Sequence, residues 1–159
     1  MSTELLKKVY LFQDLNVGEL VEVLKVCRQQ TVPGNTVIFK EDDPGDKCYI
    51  IEDGAVRISK MIPGMGEEAL AVLKTGNYFG EMALMDGAPR SATAIANSET
   101  TFLIIDKADL DDLLLANKEL GNKILMVFCR TLSKRLRDAN DKLSQFLAMA
   151  SGFGGPTAM

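Results

Sequence analysis

From Thr31 to Asp106 apolar residues recur at a spacing of two, and turn residues interrupt them at short, regular intervals. Few folds accommodate that pattern. The alternation predicts short strands at 36–40, 48–52, 55–60, 68–73, 91–96 and 100–105, and closely spaced turns join such strands into a mainly β sandwich or roll. Pro33-Gly34, Asp43-Pro44-Gly45-Asp46, Asp53-Gly54 and Pro63-Gly64-Met65-Gly66 supply the turns, with Asp53-Gly54 the strongest hairpin signal.

Helical periodicity flanks this region on both sides. Leu5, Leu6, Val9 and Tyr10 share one face of a first helix, and Asn16 with Glu19 forms the capping-box pair of a second. The stripe Val17, Leu20, Leu24 and Cys27 is expected to pack that second helix on the core. After Asp106, a suitable N-cap, Leu110, Leu113 and Leu114 mark a short helix, and a long one follows Asn117. Along the long helix Leu125, Cys129, Leu132, Leu136, Ala139, Leu143, Phe146 and Ala150 alternate steps of four and three. This is a heptad seam, and it predicts a parallel helix pair in a homodimer. The chain thus divides into N-terminal helices at 1–30, the roll at 31–106, C-terminal helices at 107–150 and a disordered tail at 151–159.

Composition removes several function classes. Among 159 residues there is no histidine, and Cys27, Cys48 and Cys129 are widely spaced, which leaves no ligand set for a metal, haem or iron-sulfur group and no catalytic triad. The cysteines are expected to be reduced and mostly buried, and the protein is expected to be neither an enzyme nor a holder of a resident cofactor. A net charge of -4 argues against nucleic acid as a partner. The densest basic stretch, Lys134-Arg135-Leu136-Arg137, is read as a solvated helix face. No apolar run approaches the roughly 20 residues of a membrane helix, and the first ten residues lack a signal-peptide layout, so a cytoplasmic protein is expected.

The run from Phe79 to Ala92, FGEMALMDGAPRSA, carries the chemistry. Gly80 allows a tight turn, and Glu81 to Met85 suit a short helix whose amides face an anion. Asp86-Gly87 and Pro89 end that helix and direct the return, which brings the Arg90 guanidinium to the same place as a phosphate-binding fork. Glu81 cannot hold a phosphate, but its carboxylate accepts a hydrogen bond from a neighbouring hydroxyl such as a ribose 2′-OH.

This run closely resembles the phosphate-binding cassette of cyclic-nucleotide-binding domains: Phe-Gly-Glu, apolar positions, a short turn, then Arg, Ser or Thr, and Ala. The likeness extends over about residues 5–145, through Phe12-x-x-Leu15, Gly34-x-x-Ile38, Asp43-Pro44-Gly45-Asp46, Tyr49-Ile50-Ile51, Gly54-x-Val56 and Gly76-x-x-Phe79. It implies a jelly-roll-like β-roll with N-terminal helices, a cassette helix and a long C-terminal helix. It also implies binding of a 3′,5′-cyclic nucleotide, cAMP first and cGMP next, at Phe79, Gly80, Glu81, Met82, Ala83, Arg90, Ser91 and Ala92.

In family terms Arg90 would take the cyclic phosphate, assisted by Ser91 and amides near Ala83, while Glu81 and Gly80 would bind the ribose. Val56, Leu73 and Met82 would bed the base under the long helix as a lid. Where bacterial activators similar to this chain carry a Thr-Ser pair on that helix, it has Ala139-Asn140, so Asn140 is the expected base contact. The helix-turn-helix of those activators is not found after the long helix. The resemblance therefore implies a stand-alone sensor with an unidentified protein effector. A ligand-independent dimerising adaptor and a regulatory piece of a larger assembly are the alternatives.

Overall fold

The computed structural model describes residues 3–153. A short helix α1 (Thr3–Lys7), a 3-10 turn (Tyr10–Phe12) and α2 (Val17–Lys25) lead into eight strands, interrupted after the sixth by α3 (Ala83–Asp86). The strands are β1 (Cys27–Val32), β2 (Val37–Phe39), β3 (Lys47–Asp53), β4 (Ala55–Ile62), β5 (Gly66–Lys74), β6 (Tyr78–Phe79), β7 (Thr93–Ala96) and β8 (Thr100–Asp106). Helices α4 (Lys107–Ala116) and α5 (Lys118–Phe153) follow. The strands form two antiparallel four-stranded sheets, ordered β1-β8-β3-β6 and β2-β7-β4-β5, the expected β-roll.

The alternation of β3 builds both halves of the core. Cys48 and Ile50 face the helices, where they meet Leu6, Phe12, Leu20, Leu103, Leu110 and Ile124. Tyr49 and Ile51 face the space between the sheets with Val56, Phe79, Ala94, Phe102 and Ile104. A strand buried on both faces excludes water from its ladder, and β8 between β1 and β3 is buried in the same way.

The structure redraws several expected boundaries. The roll begins at Cys27, within the segment assigned to the N-terminal helices, because Cys27–Val32 pairs along its whole length with β8. Cys27 therefore belongs to no helical stripe. The Asn16–Glu19 capping box forms as expected, but Val17 is exposed, and Leu20 and Val23 make the inner face of α2. Asp53-Gly54 does not make a hairpin. β3 and β4 lie in different sheets, and Gly54, at φ 116°, turns the corner so closely that a Cβ would stand 2.5 Å from Thr100 Oγ1. The hairpin in this region joins β4 to β5, with Met65 N donating to Ile62 O at 2.9 Å.

Asp106 occupies the α4 N-cap position without a side-chain capping bond. Asn117 performs that role for α5, its side-chain oxygen accepting from Leu120 N at 3.1 Å. The helix continues through Ser151, Gly152 and Phe153, which were expected to belong to the tail, and 154–159 lie outside the described residues. Leu120, Ile124 and Val127 dock α5 on the core, whereas the seam residues Leu136, Leu143 and Phe146 are 63, 56 and 66% exposed. Cys48 is buried, Cys27 half-buried and Cys129 exposed on this seam, so the expectation of mostly buried thiols fails at Cys129.

Candidate functional site

The return from α3 is fixed by bonds within a few residues. Gly87, in the left-handed conformation, caps α3 with its N–H on Ala83 O, and Asp86 Oδ1 accepts from Ala88 N at 2.9 Å. The loop at Asp42–Asp46 then grips the chain at Arg90. Asp42 N donates to Arg90 O at 2.8 Å, Arg90 N donates to Asp43 O at 2.9 Å, and Gly45 lies so close beneath Ala88 O that no side chain fits there. The Asp43-Pro44-Gly45-Asp46 turn thus serves as a backbone clamp on the cassette.

Arg90 is consequently buried, at 6% exposed, with its guanidinium 4.2 Å from the Phe39 ring centroid and Nη2 donating to Lys47 O at 2.8 Å. Nε and Nη1 are buried with no hydrogen-bond partner among the described residues. A buried cation with two unused donors is costly in an apolar setting. Burial draws the guanidinium below its ordinary value, opposed by Tyr49 and by the carboxylates of Asp46 and Asp43. Gly80, at φ 79°, sits against it: a Cβ there would lie 2.6 Å from Arg90 Nη1 and 2.9 Å from Lys47 O.

Around this cation is a cavity of about 350 Å³, lined by Phe79, Gly80, Met82, Ala83, Arg90, Ser91 and Ala92 together with Phe39, Ile58, Asp86, Ala88 and Pro89. Seven of the expected residues therefore converge. Glu81 stands at its flank, its side chain 14% exposed and Oε1 3.7 Å from Arg135 Nη2. Arg135 also donates from Nη1 to Met82 Sδ at 3.3 Å and lies 5.2 Å from the Tyr10 ring centroid. Lys134-Arg135-Leu136-Arg137 is the exposed helix face that the sequence suggested, and Arg135, 48% exposed, also reaches the cassette, a contact the sequence reading did not include.

Other expectations are corrected. Val56 is fully buried in the inter-sheet core, and Leu73 packs beside it across the β4–β5 ladder, so neither lines the cavity; Ile58 and Phe39 do. Asn140 is exposed and absent from the lining, because α5 reaches the cassette earlier, at Arg135. The amide of Ala83 is not free: it donates to Gly80 O at 3.2 Å, and Leu84 and Met85 close the next turns in the same way. Arg90 Nε and Nη1 are open donors of the cradle. Among the described residues no cluster of His, Cys, Asp or Glu could hold a metal ion, and no helix is long and apolar enough to cross a membrane.

Known proteins share this sequence pattern and this fold. The profile of the cyclic nucleotide-binding domain matches residues 29–117. A CRP-like cAMP-activated global transcriptional regulator of Mycobacterium tuberculosis is 27% identical over 144 residues, covering 91% of this chain and 62% of the relative. A cyclic nucleotide-gated potassium channel of Mesorhizobium japonicum is 33% identical over 132 residues, covering 83% of this chain and 34% of the channel. Among solved structures, the N-terminal domain of a transcriptional regulator from Streptomyces coelicolor superposes with a TM-score of 0.78 at 29% identity, covering 87% of this chain and 94% of that one. The chain thus spans less than two thirds of the length of the two full-length relatives.

Proposed function

Because the chain belongs to the cyclic nucleotide-binding domain family, we propose that it is a sensor whose cradle takes the cyclic phosphate of a 3′,5′-cyclic nucleotide, cAMP first and cGMP next. The observation that carries this reading is Arg90: a buried guanidinium with Nε and Nη1 unpartnered at the wall of the cavity. An anion entering there satisfies both donors and the charge at once. Ser91, exposed at the rim, adds a hydroxyl, and the Glu81 carboxylate accepts from the ribose. Phe39 and Ile58 give the ligand its apolar wall.

The protein acts by binding, with no catalytic step, in the cytoplasm. Two copies pair in parallel through the exposed face of α5, and the bound state is read by an effector protein through that helix. The exposed Leu136, Leu143 and Phe146, in a heptad register, support the pairing. A ligand shifts the helix only by its differential affinity for two arrangements, so the signal requires a contact between cassette and α5.

Titration calorimetry with cAMP and cGMP, on wild type and Arg90→Leu, tests the proposal. Loss of a charge-assisted bond of roughly 1.5–3 kcal/mol is expected to weaken binding at least about tenfold in a folded variant. Unchanged affinity in folded Arg90→Leu overturns the cradle assignment. A folded wild-type protein that binds no purine or pyrimidine cyclic nucleotide overturns the sensor and leaves a dimerising adaptor built on the seam.

A further inference from the structure

We infer that Phe39 is the positioning residue of the cradle: its ring seats the Arg90 guanidinium and orients it for the cyclic phosphate. The inference rests on the cyclic-nucleotide reading above and names what aims that site's cation.

A guanidinium is flat and its N–H groups point within its own plane, so whatever holds the plane chooses which oxygens it reaches. The bond from Nη2 to Lys47 O at 2.8 Å fixes one point of that plane and leaves it free to swing. The Phe39 ring removes the freedom. Arg90 Cζ lies over its face, 4.2 Å from the centroid, and 6.0 Å from the centroid of the Tyr49 ring. The negative face of a ring attracts a cation, and more strongly where water is excluded, as it is around a guanidinium only 6% exposed. Seated in this way, Arg90 keeps Nε and Nη1 unpartnered for a ligand.

The ring is itself confined. It lies 5.8 Å from the Phe79 ring and 5.9 Å from that of Tyr49; those two stack at 5.1 Å, and Phe102 stands edge-on to both. Tyr49, Phe79 and Phe102 come from the first sheet, whereas Phe39 comes from β2 of the second. The register of β2 against β7 shifts between Val37 and Phe39, an irregularity of the kind that re-aims a side chain. Main chain and side chain of Arg90 are then held by one stretch: Asp42 and Asp43 bond its backbone, and Phe39 seats its guanidinium. Five residues, from Phe39 to Asp43, therefore set where the cation stands and which way it faces.

The two exocyclic oxygens of a cyclic phosphate are not equivalent, so a held guanidinium distinguishes them and a swinging one does so less. That difference supplies the test. Affinities are measured for cAMP, or for whichever 3′,5′-cyclic nucleotide calorimetry shows to bind tightest, and for the two diastereomers of its phosphorothioate, each with sulfur at one exocyclic position. The proteins are the full chain as wild type, Phe39→Leu, which keeps the apolar volume without the ring, and Phe39→Tyr, which keeps the ring. In Phe39→Leu the cyclic nucleotide is expected to bind at least about fivefold more weakly and the ratio between diastereomers to shrink at least about threefold, with both largely restored in Phe39→Tyr. Unchanged affinity in folded Phe39→Leu, or a loss shared equally by the three ligands, shows that the ring only packs and overturns the inference. So does a wild-type protein that binds both diastereomers equally, although the cyclic-nucleotide reading then stands. A wild-type protein that binds no cyclic nucleotide overturns both.

A second readout needs no variant at position 39. In the ligand-free wild type the Arg90 Nε–H proton resonance, assigned by its loss in Arg90→Leu, is expected upfield of those of the exposed arginines through the Phe39 ring current; a position among theirs overturns the seat.

Discussion

Gly80→Ala perturbs the cradle at its tightest point, and the structure separates its two effects. The first is backbone strain: at φ 79° an L-residue is disfavoured by about 1–2 kcal/mol. The second is steric, since the new methyl would stand 2.6 Å from Arg90 Nη1 and 2.9 Å from Lys47 O. The carbonyl belongs to a strand paired with β8, so the guanidinium is the group that moves. It then loses its bond to Lys47 O and its aim into the cavity.

Gly64→Ala is the control. Gly64 has φ 81°, and a Cβ there meets nothing within 4 Å, so it carries the strain without the clash. Melting should fall by about 2–8 °C in Gly64→Ala, with no change in cyclic-nucleotide affinity. Gly80→Ala should fall further and bind roughly ten- to a hundredfold more weakly, the equivalent of one charge-assisted bond. Thermal melts and calorimetry on both variants decide the matter. Equal destabilisation of the two, or wild-type affinity in folded Gly80→Ala, refutes the argument that Gly80 exists to admit Arg90.

The seam predicts that wild type sediments as a dimer and that Leu136→Glu with Leu143→Glu sediments as a folded monomer; an unchanged sedimentation coefficient would place any dimer interface elsewhere. The partly buried contact between α2 and α5 predicts an acid-sensitive step. Glu19 is held below the ordinary carboxylate value of 4.5, first by the Lys123 ammonium donating at 2.7 Å and then by the Asn16 amide. A lowered folded-state pKa stabilises above the unfolded value and is lost as pH falls through the folded one. Melting temperature should therefore drop on acidification below about pH 4.5 less steeply in Glu19→Gln than in wild type, and parallel curves would refute the assignment.

What the sequence revealed follows from which constraints are local. The cassette was legible because turn chemistry acts within a few residues: Gly80, Gly87 and the Asp86 bond to Ala88 N set the path locally, and the Asp42–Asp46 clamp completes it. β1 was not, because Cys-Arg-Gln-Gln-Thr-Val has no apolar alternation; it is an edge strand with four consecutive exposed residues, held by its ladder to β8. Asp53-Gly54 misled for a related reason. Its glycine conformation is real, but tertiary packing against Thr100 makes it a corner between sheets. On α5 the heptad was visible and the docking phase was not. Which side chain meets the cassette depends on how Leu120, Ile124 and Val127 seat the helix, and that seating selects Arg135 over Asn140. Its position directly before the seam residue Leu136, on the flank of the stripe, was the available signal.

The position of β8 inside the first sheet bears on how the chain is born. β8 is the last strand to leave the ribosome, yet it is the neighbour of both β1 and β3, with Cys27 facing Ile105 and Tyr49 facing Ile104. Until Asp106 has emerged, β1 has no partner, and β3 has only the two-residue β6. Pairing so distant in sequence is slow to form. A nascent chain halted before Thr100 would hold its two most apolar strand faces open, and the α4–α5 helices that cover one of them would still be unmade.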